Sequence, residues 1–160
     1  SKDPYRLMWL AASGRFDLFV VHLVRDPRAF VHAMTKGDAV PSRARIARFA
    51  ARWAVENLVM ARLAARALPP ERARRVRYEE LASEPERVLG ALGEWLGLEG
   101  LAGVARSFRS VTQHAIAGGR MRFEAGGIRP DEAWRERLAP AAARFVGLVT
   151  APAARRLGLS

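Results

Sequence analysis

The chain has no cysteine, only two lysines and only two tyrosines in 160 residues. Without cysteine it has no disulfides and no thiolate metal sites. No apolar run approaches the roughly 20 residues that span a bilayer, and Ser1-Lys2-Asp3-Pro4-Tyr5 has no signal-peptide pattern, so the expected setting is cytoplasmic, away from a membrane. No Gly-x-x-x-x-Gly-Lys-Ser/Thr pattern occurs, so the usual phosphate-cradling loop is not encoded here. Three scattered histidines, His22, His32 and His114, do not make a metal site, and none is expected.

Arginine is what the chain has in excess. Of 27 basic residues all but Lys2 and Lys36 are arginine, and the formal net charge is +11. The arginine fork suits phosphate and sulfate oxygens, so a polyanionic ligand fits the composition; so does a solvated, arginine-rich surface. A nucleic-acid-binding module is the charge-based alternative. It lacks basic-aromatic interleaving and a helix with Lys/Arg clustered on one face.

Hydrophobic residues make up 50% of the chain, enough for one core, and 160 residues suit a single domain. Leu18–Val24 is continuously apolar and reads as a parallel strand buried on both faces. Asp26-Pro27 then starts a helix to about Lys36. Ser42 caps a long helix through Ala67, with Ile46, Phe49, Trp53, Leu58 and Leu63 at helical spacing. A second strand is expected at Arg75–Tyr78 and a turn at Glu79–Leu81. Helices follow over Ser83–Leu96, with Gly97 as cap, and over Leu98–Phe108. The stretch 112–129 carries four glycines among His114, Arg120 and Arg122, and reads as a ligand-binding loop. Asp131 caps a helix containing Trp134 and Leu138. Pro140 kinks or restarts it, Phe145 and Leu148 continue an apolar face, and Ala151–Leu157 forms a last short helix. Two strands do not make a stable open sheet by themselves, so the chain reads as the C-terminal part of a larger domain.

The segment His22-Leu23-Val24-Arg25-Asp26-Pro27-Arg28-Ala29 carries the strongest local chemistry. Arg25 follows a strand's carboxyl end and precedes a helix N-terminus, where free N–H groups and the helix dipole favour anions. Arg25 either binds a phosphate or pairs with a carboxylate. Arg28, one turn on, either assists or faces solvent. His22, inside the strand, reads as a hydrogen-bonded core residue. Trp53, Trp95 and Trp134 read as core, and Trp9 as core or as a wall of a substrate pocket.

Four segments in order carry a resemblance over nearly the whole chain. They are Ser1–Arg6, Val21–Ala29, Val76-Arg77-Tyr78-Glu79-Glu80-Leu81 with Glu84-Pro85-Glu86, and the tail from His114 through Met121-Arg122-Phe123 to Asp131–Trp134. Together they resemble bacterial sulfotransferases that use 3′-phosphoadenosine 5′-phosphosulfate (PAPS). The resemblance implies an α/β, P-loop-type parallel sheet with flanking helices, incomplete at its N-terminal side and mostly helical here. It implies sulfuryl transfer to a hydroxyl or amine of a small-molecule or sugar acceptor, with no metal and no nucleic-acid partner. It implies that Arg25 binds the 3′-phosphate, that Tyr78 lies near the adenine, and that His114, Arg120, Met121 and Arg122 close over the nucleotide. Lys2 would touch the sulfate in transfer. Three positions depart from the family pattern: Ala33 stands where a phosphate-binding serine is usual, Pro4 where many relatives have a histidine base, and Gly119 where an asparagine is usual. The remaining alternative is an inactive fragment of a P-loop kinase-like protein.

Overall fold

The computed structural model describes residues 4–107 and 131–159. These fall into two compact units, one of residues 4–78 with 131–159 and one of residues 79–107.

In the first unit, helix α1 (Pro4–Ser13) precedes strand β1 (Val20–Val24), helix α2 (Pro27–Thr35) and the long helix α3 (Arg43–Ala67). A 3-10 turn at Pro70–Arg72 leads into strand β2 (Ala73–Arg77). The two strands pair in parallel, Val20 opposite Ala73 through Val24 opposite Arg77. A parallel pair needs a long crossover, and α2 with α3 supplies it. Ser42 caps α3 as its sequence position predicts, its hydroxyl accepting from the Arg45 N–H at 3.3 Å.

The core sits where α2 and α3 meet the C-terminal helix α8 (Pro140–Arg156). Val31, Ile46, Phe49, Ala50 and Val146 form one cluster, and Val24, Trp53, Ala153 and Leu157 another. Ala29 packs with Trp134 and Leu138, beside the single-turn helix α7 (Trp134–Arg137). Two buried hydroxyls, Thr35 and Thr150, each return a hydrogen bond to the carbonyl four residues back, which removes the cost of burying them. Arg75 on β2 donates to the Leu157 carbonyl at 2.6 Å, tying the strand to the end of α8.

Several expectations need correction. Strand β1 is not covered on both faces: Val21 and Leu23 remain 41% and 47% exposed, and only Val24 is fully buried. Side chains alternate across a strand, and here one face alone meets the described helices. Residues 78–83 form a short helix, α4, not a turn, because Glu79 and Glu80 in its first turn suit a helix N-terminus. No separate helix starts at Ala151; α8 runs unbroken through Pro152. The apolar face of α8 is Val146, Thr150 and Ala153, whereas Leu148 is 78% exposed, so the stripe follows the i, i+4, i+7 series. Helix α1 starts at Pro4, after an Asp3-Pro4 pattern like the Asp26-Pro27 that opens α2, but it is not among the helices expected from the sequence. Its Trp9 is exposed, which removes the core assignment.

The second unit holds helices α5 (Pro85–Leu96) and α6 (Leu101–Ser107). Gly97 adopts φ +66° and the Leu98 N–H reaches back to the Gly93 carbonyl at 2.8 Å, a Schellman ending that glycine permits without strain. Gly93 is needed for another reason. A Cβ there would lie 2.7 Å from the Leu98 carbonyl oxygen and 3.1 Å from the Leu101 Cβ. Gly93→Ala is therefore expected to lower stability by about 1–3 kcal/mol through overpacking, read from the urea midpoint, even though alanine is the better helix former. An unchanged or higher midpoint would show that α5 and α6 are not packed this closely. Among the described residues, no helix is long and apolar enough to cross a membrane.

Candidate functional site

Arg25 is the first residue beyond β1, and its backbone is fixed from below. The buried Trp53 indole N–H donates to the Arg25 carbonyl at 2.8 Å. Trp53 stands in the core on α3, so the rigid middle of the longest helix holds the residue that ends the strand.

The Arg25 side chain meets two groups. Its Nη2 donates to the Asp131 carboxylate at 2.9 Å, and its Cζ lies 4.8 Å from the centre of the Tyr78 ring. Tyr78 directly follows β2, whose last residue pairs with Val24, so parallel pairing brings the two strand ends and their side chains together. Guanidinium over an aromatic face is favourable in itself. One atom has no such partner: Arg25 Nε is buried and makes no hydrogen bond among the described residues. A buried donor left unsatisfied is costly, and sites that await a ligand are where such atoms persist.

The helix that follows does not offer its N-terminus to a ligand, contrary to the sequence expectation. Asp26 caps α2, its Oδ1 accepting from the Arg28 N–H at 2.7 Å. Burial raises the Asp26 pKa, but the hydrogen bonds from the Arg28 side chain and from the backbone N–H groups of Arg28 and Ala29 outweigh it, and the net shift is downward. The carboxylate is thus held ionised over the helix dipole. Arg28 is also committed. It grips Asp26 through Nε at 3.0 Å and Nη2 at 2.6 Å, and its Cζ lies 4.4 Å from the Trp134 ring centre. Arg25 is the arginine at this junction that keeps a donor unsatisfied.

Asp131 supplies the carboxylate that sequence reasoning left as one of two options for Arg25. Hydrogen bonding from Arg25 is the main cause of its lowered pKa, opposed by burial and assisted by the Ala133 N–H. It does not start α7 directly; Ala133 occupies the cap position, and Asp131 Oδ1 accepts from the Ala133 N–H at 3.3 Å. The structure therefore shows the carboxylate pairing that the sequence left open for Arg25. His22 is a structural residue, as expected, its Nε2 3.0 Å from the Asn57 side-chain oxygen.

Of the residues singled out from sequence, Arg25 and Tyr78 come together. Lys2, His114, Arg120, Met121 and Arg122, with the whole stretch 112–129, lie outside the described residues. Sequence reasoning missed the Trp53 clamp and the Asp131 pairing. These join residues 28 and 106 positions apart, and helical or strand periodicity carries no signal at such separations.

At the paired strand ends the structure thus gathers a half-buried arginine with an unsatisfied donor, an aromatic ring against it, and a carboxylate paired with it. Comparison with known proteins bears on the family. The sequence model of the sulfotransferase family matches residues 17–102, which include β1, Arg25 and Tyr78. A solved structure, the sulfotransferase domain from the curacin biosynthetic pathway, is similar in fold with a TM-score of 0.58 at 19% identity. The match covers 99% of this chain and 59% of that one, so the chain spans well under two thirds of the solved domain. Among curated proteins none matches. A mixed α/β chain with a small parallel sheet, more than half of it matched by the family model, the protein belongs to the sulfotransferase family.

Proposed function

We propose that this chain carries the 3′-phosphate-binding side of a sulfotransferase site that uses PAPS, in a P-loop-type fold, and serves transfer of a sulfuryl group to a hydroxyl or amine. The observation that carries the reading is the buried, unsatisfied Nε of Arg25 beside Tyr78 at the paired strand ends. When bound, the donor supplies an activated sulfuryl group. The chain's own part is to bind and orient. Arg25 engages the 3′-phosphate through a planar fork, which fixes direction as well as charge. Tyr78 offers a ring face to the adenine. By resemblance, Arg120 and Arg122, with Met121 and His114, surround the nucleotide, and Lys2 neutralises charge developing on the leaving phosphate. Pro4 has no group that takes a proton, so the acceptor's proton goes to another residue. Holding both reactants in line would supply most of the acceleration, as in phosphoryl transfer. The acceptor is a small molecule or sugar, met without a metal.

A thermal-shift panel tests the class of ligand. A ligand that binds the native state at a hundredfold excess over its Kd adds about 2.7 kcal/mol, or about 5–10 °C in a chain of this size. 3′,5′-Adenosine bisphosphate is expected to raise Tm by that order. ATP with magnesium and a single-stranded oligonucleotide are expected to raise it far less. A larger shift from ATP would favour a kinase-like nucleotide site, and one from the oligonucleotide, steeply weakened by salt, a nucleic-acid site.

A further inference from the structure

Asp131 holds the nitrogen of Arg25 that a two-pronged contact cannot do without. A guanidinium presents paired N–H groups along two edges, Nε with Nη2 and Nη1 with Nη2, and both edges share Nη2. The hydrogen bonds that the Arg25 side chain makes among the described residues leave from that nitrogen and go to Asp131, to the carboxylate Oδ2 at 2.9 Å and to the backbone carbonyl at 3.4 Å. The other carboxylate oxygen is tied down too, Oδ1 accepting from the Ala133 N–H at 3.3 Å. Nε is buried, so an anion from solvent meets the Nη1–Nη2 end of the fork. The pair itself is within reach of solvent, with the Arg25 and Asp131 side chains 26% and 34% exposed. While Asp131 stays in place, an arriving anion is left with Nη1 and a single-pronged contact.

We infer that Asp131 is a displaceable internal ligand of the phosphate site: it fills Nη2 in the free chain and yields it before Arg25 grips a phosphate with two prongs. The inference rests on the reading of Arg25 as the 3′-phosphate ligand. It adds a residue in contact with the site whose removal tightens binding, which that reading does not require.

The consequence is a threshold. Asp131 is held by the chain itself, so it competes at a high effective concentration. Only the fraction of molecules with Nη2 free can form the fork, and the affinity of every anion that needs the fork falls by that fraction. A singly charged anion of carboxylate geometry, which binds a guanidinium no better than Asp131 does, then leaves the site unfilled. A phosphate monoester brings close to two charges and three acceptor oxygens, and displaces the carboxylate. A nucleotide without a 3′-phosphate makes no use of Nη2 and is indifferent to Asp131.

The test is calorimetric titration with 3′,5′-adenosine bisphosphate at constant ionic strength, with and without nitrate as a competing planar monoanion. It compares the wild-type chain with Asp131→Asn, which keeps the shape and an acceptor but loses the charge. Asp131→Asn is expected to bind the bisphosphate about threefold to tenfold more tightly, the weakening of a half-exposed ion pair, and nitrate should compete better by a similar factor. Binding of 5′-AMP should change by less than about twofold. Glu132→Gln makes the same change in net charge one residue away, at an exposed side chain paired with Arg135, and should leave the bisphosphate within about twofold of wild type. The double variant of Arg25→Ala with Asp131→Asn should bind the bisphosphate no better than Arg25→Ala alone. Affinity in Asp131→Asn equal to or below that of wild type would overturn the proposal and make Asp131 a residue that orients Arg25. An equal gain in Glu132→Gln would overturn it in favour of a general charge effect, and either result leaves Arg25 as a phosphate ligand. A gain from Asp131→Asn that persists without Arg25 would overturn both readings. Asp131→Ser, whose hydroxyl can still accept from the Ala133 N–H, gives the same comparison if the asparagine variant fails to fold.

Discussion

Arg25→Ala is expected to abolish the preference for 3′,5′-adenosine bisphosphate over 5′-AMP. A charge-assisted bond to a phosphate is worth about 1.5–3 kcal/mol, so the bisphosphate should weaken roughly tenfold to a hundredfold. 5′-AMP should change little. Arg25→Lys should retain part of the preference, because it keeps the charge and loses the fork. The alanine variant also strands the Asp131 carboxylate, which now lowers its pKa mainly through Arg25. Pairing Arg25→Ala with Asp131→Asn removes that complication: the double variant should still fail to prefer the bisphosphate. Preference surviving in the single and double variants alike would place the 3′-phosphate elsewhere. The Asp131 contact has a further consequence. A ligand phosphate must share or displace that carboxylate, so Asp131 and the bound anion compete for Nη2, and the observed affinity is the difference between them.

Trp53→Ala carries the largest expected cost to stability. The side chain is 1% exposed and packs with Val24, Ala153 and Leu157, so truncation should cost about 3–5 kcal/mol. That is roughly a fifth or more of the stability of an ordinary domain. Trp53→Phe separates packing from the clamp. It fills most of the volume but leaves the Arg25 carbonyl without its donor, an expected cost of about 1–3 kcal/mol. The same variant should weaken the bisphosphate more than 5′-AMP, because the loosened backbone is that of the phosphate ligand. Urea midpoints at constant slope read the first effect and titrations the second. Wild-type stability in Trp53→Phe would show that the indole hydrogen bond does not hold the strand end.

Much of this architecture is written locally. Asp26-Pro27, Ser42, Pro69-Pro70 and Gly97 mark where helices start and stop, and each does so by a bond or a backbone restriction within its own few residues. Arg25 was legible as a candidate anion ligand because strand, arginine and helix cap are contiguous. What the sequence did not disclose is non-local. Trp53 reads as one more apolar residue in a helical stripe, and nothing in the stripe says that its N–H reaches a carbonyl 28 residues away. Asp26 was read as the helix cap and the helix end beside Arg25 as favouring anions, yet the cap itself uses an N–H group a ligand would need. Leu18–Val24 is apolar enough for a doubly covered strand, and composition alone does not reveal that one face stays open.

The central claim is that Arg25 binds the 3′-phosphate, and phosphorus NMR of 3′,5′-adenosine bisphosphate tests it most directly, because the two phosphates give separate resonances. On titration with the wild-type chain the account predicts a shift or broadening of the 3′-phosphate signal that Arg25→Ala removes, with the 5′-phosphate signal responding less and indifferently to the substitution. A 5′-phosphate signal that moves first, or a 3′-phosphate signal that moves equally with Arg25→Ala, would contradict it.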